Sequence, residues 1–169
     1  MRKLLVKLVN KLEELPGKDT KPNFSCLSVT EDCTLRCKMC YKWRKDMSIK
    51  SGNLSPTISQ WKNAIASLQE ITDEGFLINF GGGEPFFMKS LLELVRFAAD
   101  KGFNTNIATN AYLVDEDTAK AIADSGLSTI NISLDSIKES THDYLRGVKG
   151  VYKRVMKAIE YLHKYCFKF

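Results

Sequence analysis

The sequence has no long apolar run, no arginine-rich arm and no second paired cysteine knuckle, and each absence removes a class of function. Spanning a bilayer takes about 20 consecutive apolar residues, and no stretch is that long. Met1 to Leu15 opens with basic residues and Leu4-Leu5-Val6, but Lys7 interrupts the run and no small-residue cleavage site follows, which argues against a secretory signal. The net charge of +5 is spread over lysines along helical stretches, so no nucleic-acid partner is expected. Five cysteines is an odd count, and three fall within eight residues, a poor disulfide framework. A reducing, cytoplasmic setting is the expectation. With 44% apolar and 27% charged residues, the 169-residue chain has the composition of one globular domain with a real core.

Against these absences stands Cys33-Thr-Leu-Arg-Cys37-Lys-Met-Cys40, three thiols in one short loop. Three thiolates can hold a cluster of soft metal ions and leave one ion open to a ligand from outside the chain. A zinc-binding interaction module is the alternative, but zinc sites favour paired C-x-x-C knuckles, and this loop has one such pair and no histidine. Cys26, in an alternating run, and Cys166, on a helical stripe, read as small buried apolar residues.

Along the chain, residues 2 to 14 carry Leu4, Leu5, Leu8, Val9 and Leu12 at helical spacing, an amphipathic leader helix. Residues 1–22 form this leader and its linker; 23–169 form the core domain. Pro16, Gly17 and Pro22 break the chain before a strand over Phe24 to Thr30. Ser55 and Pro56 suit an N-cap and first helical position, with Ile58, Trp61, Ile65 and Leu68 following on one face. Strands over 76–80, 103–108 and 129–134 then alternate with helices over 90–101 and 115–125 and a last helix carrying Tyr152, Val155, Ile159 and Leu162. Glycines at 102 and 126 close two of these helices.

Four strand-helix repeats predict parallel strands with right-handed crossovers, an α/β fold. A doubly wound sheet, covered on both faces, would be apolar throughout. Here Asn131, Ser133 and Asp135 oppose Ile130, Ile132 and Leu134, and Asn79 and Asn106 sit opposite apolar neighbours. One polar face predicts a partial (β/α) barrel with helices outside.

In parallel folds, active sites form at the C-terminal strand edge. There the four strands deliver the cysteine loop, Gly81-Gly82-Gly83-Glu84-Pro85, Thr109-Asn110, and Ser133 with Asp135-Ser136. The glycine run brings backbone close to a ligand. It lacks the Gly-Lys-Ser/Thr ending of a phosphate loop.

These motifs resemble the radical S-adenosylmethionine (radical SAM) superfamily from about Phe24 to Phe169. Cys33, Cys37 and Cys40 match its cysteine signature, and Gly82-Gly83-Glu84-Pro85 is similar to its methionine-binding motif. Ser133-Leu134-Asp135 with His142-Asp143 and Arg146-Gly147 is similar to the branch of molybdenum-cofactor synthesis and peptide-modifying enzymes. The resemblance implies a radical SAM enzyme with a 4Fe-4S cluster on the three cysteines, whose fourth iron takes the amino and carboxylate groups of SAM. Reductive cleavage of SAM would give a 5'-deoxyadenosyl radical that abstracts hydrogen from a substrate. It further implies that Gly82, Gly83 and Glu84 meet the methionine amino group, that Ser133 and Asp135 reach ribose or carboxylate, and that Thr109 and Asn110 lie nearby. Arg146 would pair the SAM carboxylate. Met39 stands where the family usually has an aromatic residue near adenine, with Tyr41 beyond it. His142 reads as a capping or packing residue and His163 as a helix surface residue. Arg36, Lys38, Lys42, Arg44 and Lys45 would attract an acidic electron donor such as a flavodoxin or ferredoxin, or else form a solvated loop. The family barrel has six strand-helix units, so this chain corresponds to its N-terminal part, truncated before strand five. A cluster-binding chain without SAM turnover is the accompanying alternative.

Overall fold

The computed structural model describes residues 21–43 and 56–166. The leader helix over 2–14, Arg44, Lys45, Ser55 and residues 167–169 lie outside the described residues. Among the described residues, four strands, β1 (Phe24–Thr30), β2 (Leu77–Gly82), β3 (Asn104–Thr109) and β4 (Thr129–Ile132), form one sheet in the order β1-β2-β3-β4. All three pairings are parallel. Each strand is added on the same side as the last, without the reversal of a doubly wound sheet, so the sheet is a segment of a barrel wall. No helix among the described residues is long and apolar enough to cross a membrane.

Among the described residues, five α-helices accompany the strands: α1 (Ile58–Leu68), α2 (Leu91–Asp100), α3 (Glu116–Ala123), α4 (Glu139–Arg146) and α5 (Val151–Tyr165). The start of α1 differs from the expected Ser55 cap. Thr57 is the N-cap, and it exchanges hydrogen bonds with Gln60 in a capping box. Asp115 caps α3 by accepting from Thr118 N at 2.8 Å. The expected last helix is α5, which carries Tyr152, Val155, Ile159 and Leu162, and the short α4 precedes it. α4 ends at Gly147 (φ 72°) and α5 starts after Gly150 (φ 84°), both left-handed positions that suit glycine.

Helices cover one face of the sheet. Ile78 and Phe80 of β2 and Ile107 of β3 pack with Ile65, Leu91, Leu94, Val95 and Ala98 from α1 and α2. Each such valine, leucine, isoleucine or phenylalanine, fully buried, contributes about 1.5–3 kcal/mol. Farther along, Ile130 and Ile132 meet Ile122 of α3 and Ala158 and Leu162 of α5. The opposite face is polar, as the alternation predicts. The strand register aligns Cys26, Asn79, Asn106 and Thr129 in one row across all four strands. Thr129 Oγ1 donates to Asn106 Oδ1 at 2.8 Å, Asn106 Nδ2 to Asn79 Oδ1 at 2.5 Å, and Asn79 Nδ2 to Cys26 Sγ at 3.2 Å. Cys26 is therefore exposed on the polar face and not the buried apolar residue expected, because its register places it beside asparagines. Cys166 is half-buried against α3, donating to Ala119 O at 3.4 Å. His163 is exposed, as expected.

Candidate active site

The cysteine loop leaves β1 and is clamped on two sides. On one side, Gly83 N donates to Thr30 O and Glu84 N to Asp32 O, each at 2.7 Å. This approach requires glycine: a Cβ on Gly82 would collide with Thr30 O and one on Gly83 with Asp32 O. On the other side, Lys38 N donates to Leu145 O at 2.8 Å and Arg36 N to Arg146 O at 3.2 Å, tying the loop to the last turn of α4. A Cβ on Gly147 would strike Arg36 O, so Gly147 permits that contact. Between the clamps, Leu35 and Cys37 are buried against Val151 and Val155 of α5.

A cavity of about 570 Å³ opens beside the loop at the C-terminal strand edge. Cys33, Cys37 and Cys40 line it with Met39, Gly81, Gly82, Gly83, Thr109, Asn110, Ser133 and Arg146. Its volume lies in the range of small-molecule and cofactor sites. Burial pushes the Cys33 thiol up, opposed by the Leu35 backbone N–H and reinforced by nearby Glu84. A positive centre at the sulfur is what would hold it as thiolate. No three His, Cys, Asp or Glu side chains among the described residues are gathered around a point fit for one metal ion. A cluster instead offers each thiolate a different iron.

Of the expected residues, most line the cavity and two do not. Glu84 is 0% exposed and turned inward. Its Oε1 accepts from Thr109 Oγ1 at 2.7 Å and Phe86 N at 3.3 Å, and its Oε2 from Asn110 N at 2.8 Å. Burial raises its pKa against the lowering effect of these donors. Its carboxylate thus clasps the glycine turn to the end of β3, where the resemblance implied contact with a ligand. Asp135 is likewise engaged within the chain: Arg146 Nη2 donates to Oδ1 at 2.7 Å and Arg146 Nε lies 2.7 Å from Oδ2. Asp135 N donates to His142 Nδ1 at 3.2 Å. His142, 0% exposed and with its pKa lowered by burial and by the Arg146 cation, is the packing residue expected. Met39 is 57% exposed at the cavity mouth.

The basic residues divide. Lys42 is paired with Glu31 at 2.5 Å, which holds that carboxyl below its usual range. Arg36 Nη1 donates to the carbonyls of Cys33 (3.0 Å) and Leu35 (2.9 Å), and Lys38 sits 4.7 Å from the Tyr144 ring centroid.

Several cavity residues carry no motif. Asn79 and Cys26 form part of the wall, and Trp43, three residues past Cys40, lines it while donating Nε1 to Cys37 O at 2.9 Å. Ala111, buried just after Asn110, has φ 57°, a left-handed conformation uncommon for a residue with a Cβ. The aromatic at 43 was a readable signal; nothing in the sequence marks Ala111.

The profile described as "Radical SAM superfamily" matches residues 27–168. Among curated proteins, the chain is 34% identical over 143 residues to Fe-coproporphyrin III synthase of Methanosarcina barkeri, covering 85% of this chain and 34% of that protein. It is 30% identical over 136 residues to PqqA peptide cyclase of Bradyrhizobium diazoefficiens, covering 80% and 34%. The chain thus spans about one third of the length of these relatives. Among solved structures, Streptococcus suis SuiB bound to the precursor peptide SuiA superposes with a TM-score of 0.73 at 22% identity, covering 99% of this chain and 35% of that one. Native anSMEcpe with bound AdoMet gives a TM-score of 0.64 at 21% identity, covering 86% and 42%. At these identities the two structures show a shared fold.

Proposed function

The chain belongs to the Radical SAM superfamily, whose cofactors are a 4Fe-4S cluster and SAM, and on that footing we propose that it is the cluster- and SAM-binding part of a radical SAM enzyme. When bound, the cluster supplies the electron for reductive cleavage of SAM to the radical that takes hydrogen from the substrate. Cys33, Cys37 and Cys40 are the proposed iron ligands. Backbone groups of Gly82 and Gly83 receive the methionine amino group. Arg146, its guanidinium held on one side by Asp135, presents its remaining N–H groups to the SAM carboxylate. Ser133 faces the same cavity as a hydroxyl partner for ribose or carboxylate, and Met39 packs at its mouth near adenine. Glu84 and Asp135 act from behind this wall as positioning residues, and Thr109, within the wall, donates to Glu84 Oε1. The electron reaches the loop from an acidic one-electron carrier such as a flavodoxin or ferredoxin, attracted by the cations beside the cysteines.

The observation that supports this reading is that the three thiols, the glycine backbone, Ser133 and Arg146 share one cavity although they come from four separate segments. Anaerobic reconstitution tests it: close to four irons per chain are expected, with an EPR signal of the reduced protein that SAM perturbs. Iron bound without any response to SAM, or stoichiometric zinc held after aerobic purification, overturns it.

A further inference from the structure

Two side chains at the cavity aim N–H groups at two of the three proposed ligand sulfurs. Asn110 Nδ2 lies 3.6 Å from Cys33 Sγ, and Arg146 Nη1 lies 3.8 Å from Cys37 Sγ. Both distances are within the range of N–H···S hydrogen bonds, which are longer than those to oxygen because sulfur is larger.

Neither donor is free to turn away. The Asn110 backbone N–H is fixed by Glu84 Oε2 (2.8 Å), and its Oδ1 accepts from Tyr112 N (2.9 Å), so the amide nitrogen is left facing the sulfur. The left-handed Ala111 holds the turn that makes this possible, with Ala111 N donating to Thr109 Oγ1 at 2.9 Å. Arg146 is gripped on its Nε and Nη2 side by Asp135, so Nη1 is directed to Cys37. Asp135 is itself held by His142 Nδ1, and the Arg146 carbonyl by Arg36 N. One neutral donor and one full positive charge are thus fixed beside the sulfurs before any cofactor binds.

Resting on the cluster reading above, we infer that Asn110 and Arg146 set the electron affinity of the cluster held by Cys33 and Cys37. The one electron that enters from a low-potential donor adds one negative charge, shared by the thiolate sulfurs, and no proton need move. Donors and cations at the sulfurs stabilise the reduced state more than the oxidised one and raise the reduction potential. Glu84 and Asp135 are positioning residues for this effect, each acting through the donor it orients.

The test is an EPR-monitored redox titration of the reconstituted protein without SAM, so that binding of the SAM carboxylate to Arg146 does not enter. Arg146→Gln removes the charge. Asn110→Asp keeps the acceptor for Tyr112 N but replaces the donor at Cys33 with a negative oxygen. Each is expected to lower the ratio of reduced to oxidised cluster about tenfold at fixed ambient potential, a shift of about 59 mV to the negative for a one-electron couple. Arg146→Lys should fall between Arg146→Gln and the parent, and Lys157→Gln, on the outer surface of α5, should leave the potential in place. Should Arg146→Gln fail to hold iron, Asn110→Asp and Arg146→Lys carry the measurement. Unchanged or more positive potentials in variants that retain four irons overturn the inference and leave the cluster reading standing. A parent protein that takes up no four-iron cluster instead overturns the reading on which it rests.

Discussion

Glu84 shows how one buried acid can shape a site it does not line. Three donors converge on its carboxylate, so substituting the amide in Glu84→Gln turns an acceptor into a donor facing another donor inside the protein. Leaving such a group unsatisfied costs about 1–3 kcal/mol. At roughly 2–4 °C per kcal/mol for a domain of this size, thermal melting should fall by several degrees. The same substitution should alter the pH profile. Because burial raises the Glu84 pKa, the folded state holds its proton more tightly than the unfolded chain. Its share of stability is therefore fully present below the ordinary carboxylate range and declines as pH rises through the raised value. Urea titrations of parent and Glu84→Gln across that window should show the decline only in the parent. The motif Gly82-Gly83-Glu84-Pro85 was legible as a site feature, but not the direction of the Glu84 side chain. That direction is decided by Thr109 and Asn110, 25 and 26 residues away.

Between elements, a surface acid bridges α3 and α5 at the rim of their buried contact. Glu116 accepts from Lys164 Nζ at 2.8 Å and from Tyr165 Oη at 2.5 Å, and these bonds bring its pKa from 4.5 down to about 2. A depressed acid contributes stability that is present above its unfolded value and lost as pH falls through the folded one. Glu116→Gln should therefore flatten the acid side of the stability profile between pH 4.5 and about 2, leaving the neutral region little changed. Urea midpoints measured across that range check it. Strands and the larger helices were legible because alternation and 3.6-residue spacing follow directly from which face is buried. α4 was not legible as a separate helix: its only buried residue is His142, so its eight residues carry almost no apolar stripe. The Thr57 cap was hidden behind a plausible Ser-Pro pair, and the capping box with Gln60 decides the start.

For the whole molecule, the parallel sheet and its single polar face were both readable, because the asparagines of β2 and β3 announce a surface that no helix among the described residues covers. The exposure of Cys26 was missed for a related reason: cysteine is usually buried, and only cross-strand register reveals its polar neighbours. The proposed iron ligands, glycine backbone, Ser133 and Arg146 all fall within this chain. We therefore expect the 169-residue protein, loaded with cluster and given dithionite, to release 5'-deoxyadenosine from SAM. Chromatographic assay of the nucleoside decides, and a loaded protein that forms none is a cluster-binding chain without turnover.

The row from Thr129 through Asn106 and Asn79 to Cys26 has a consequence for how the sheet assembles. Each asparagine spends its oxygen on one neighbour and its nitrogen on the other, so the row has a single direction and tolerates no missing member. Sliding any strand by one residue would swing its polar side chain toward the helices and an isoleucine, leucine or phenylalanine into the cavity. Three parallel pairings, each separated by a helix in sequence, are thereby checked against one another at a single level. The row is a registration mark, and the four segments that build the cavity arrive at matching heights because it aligns.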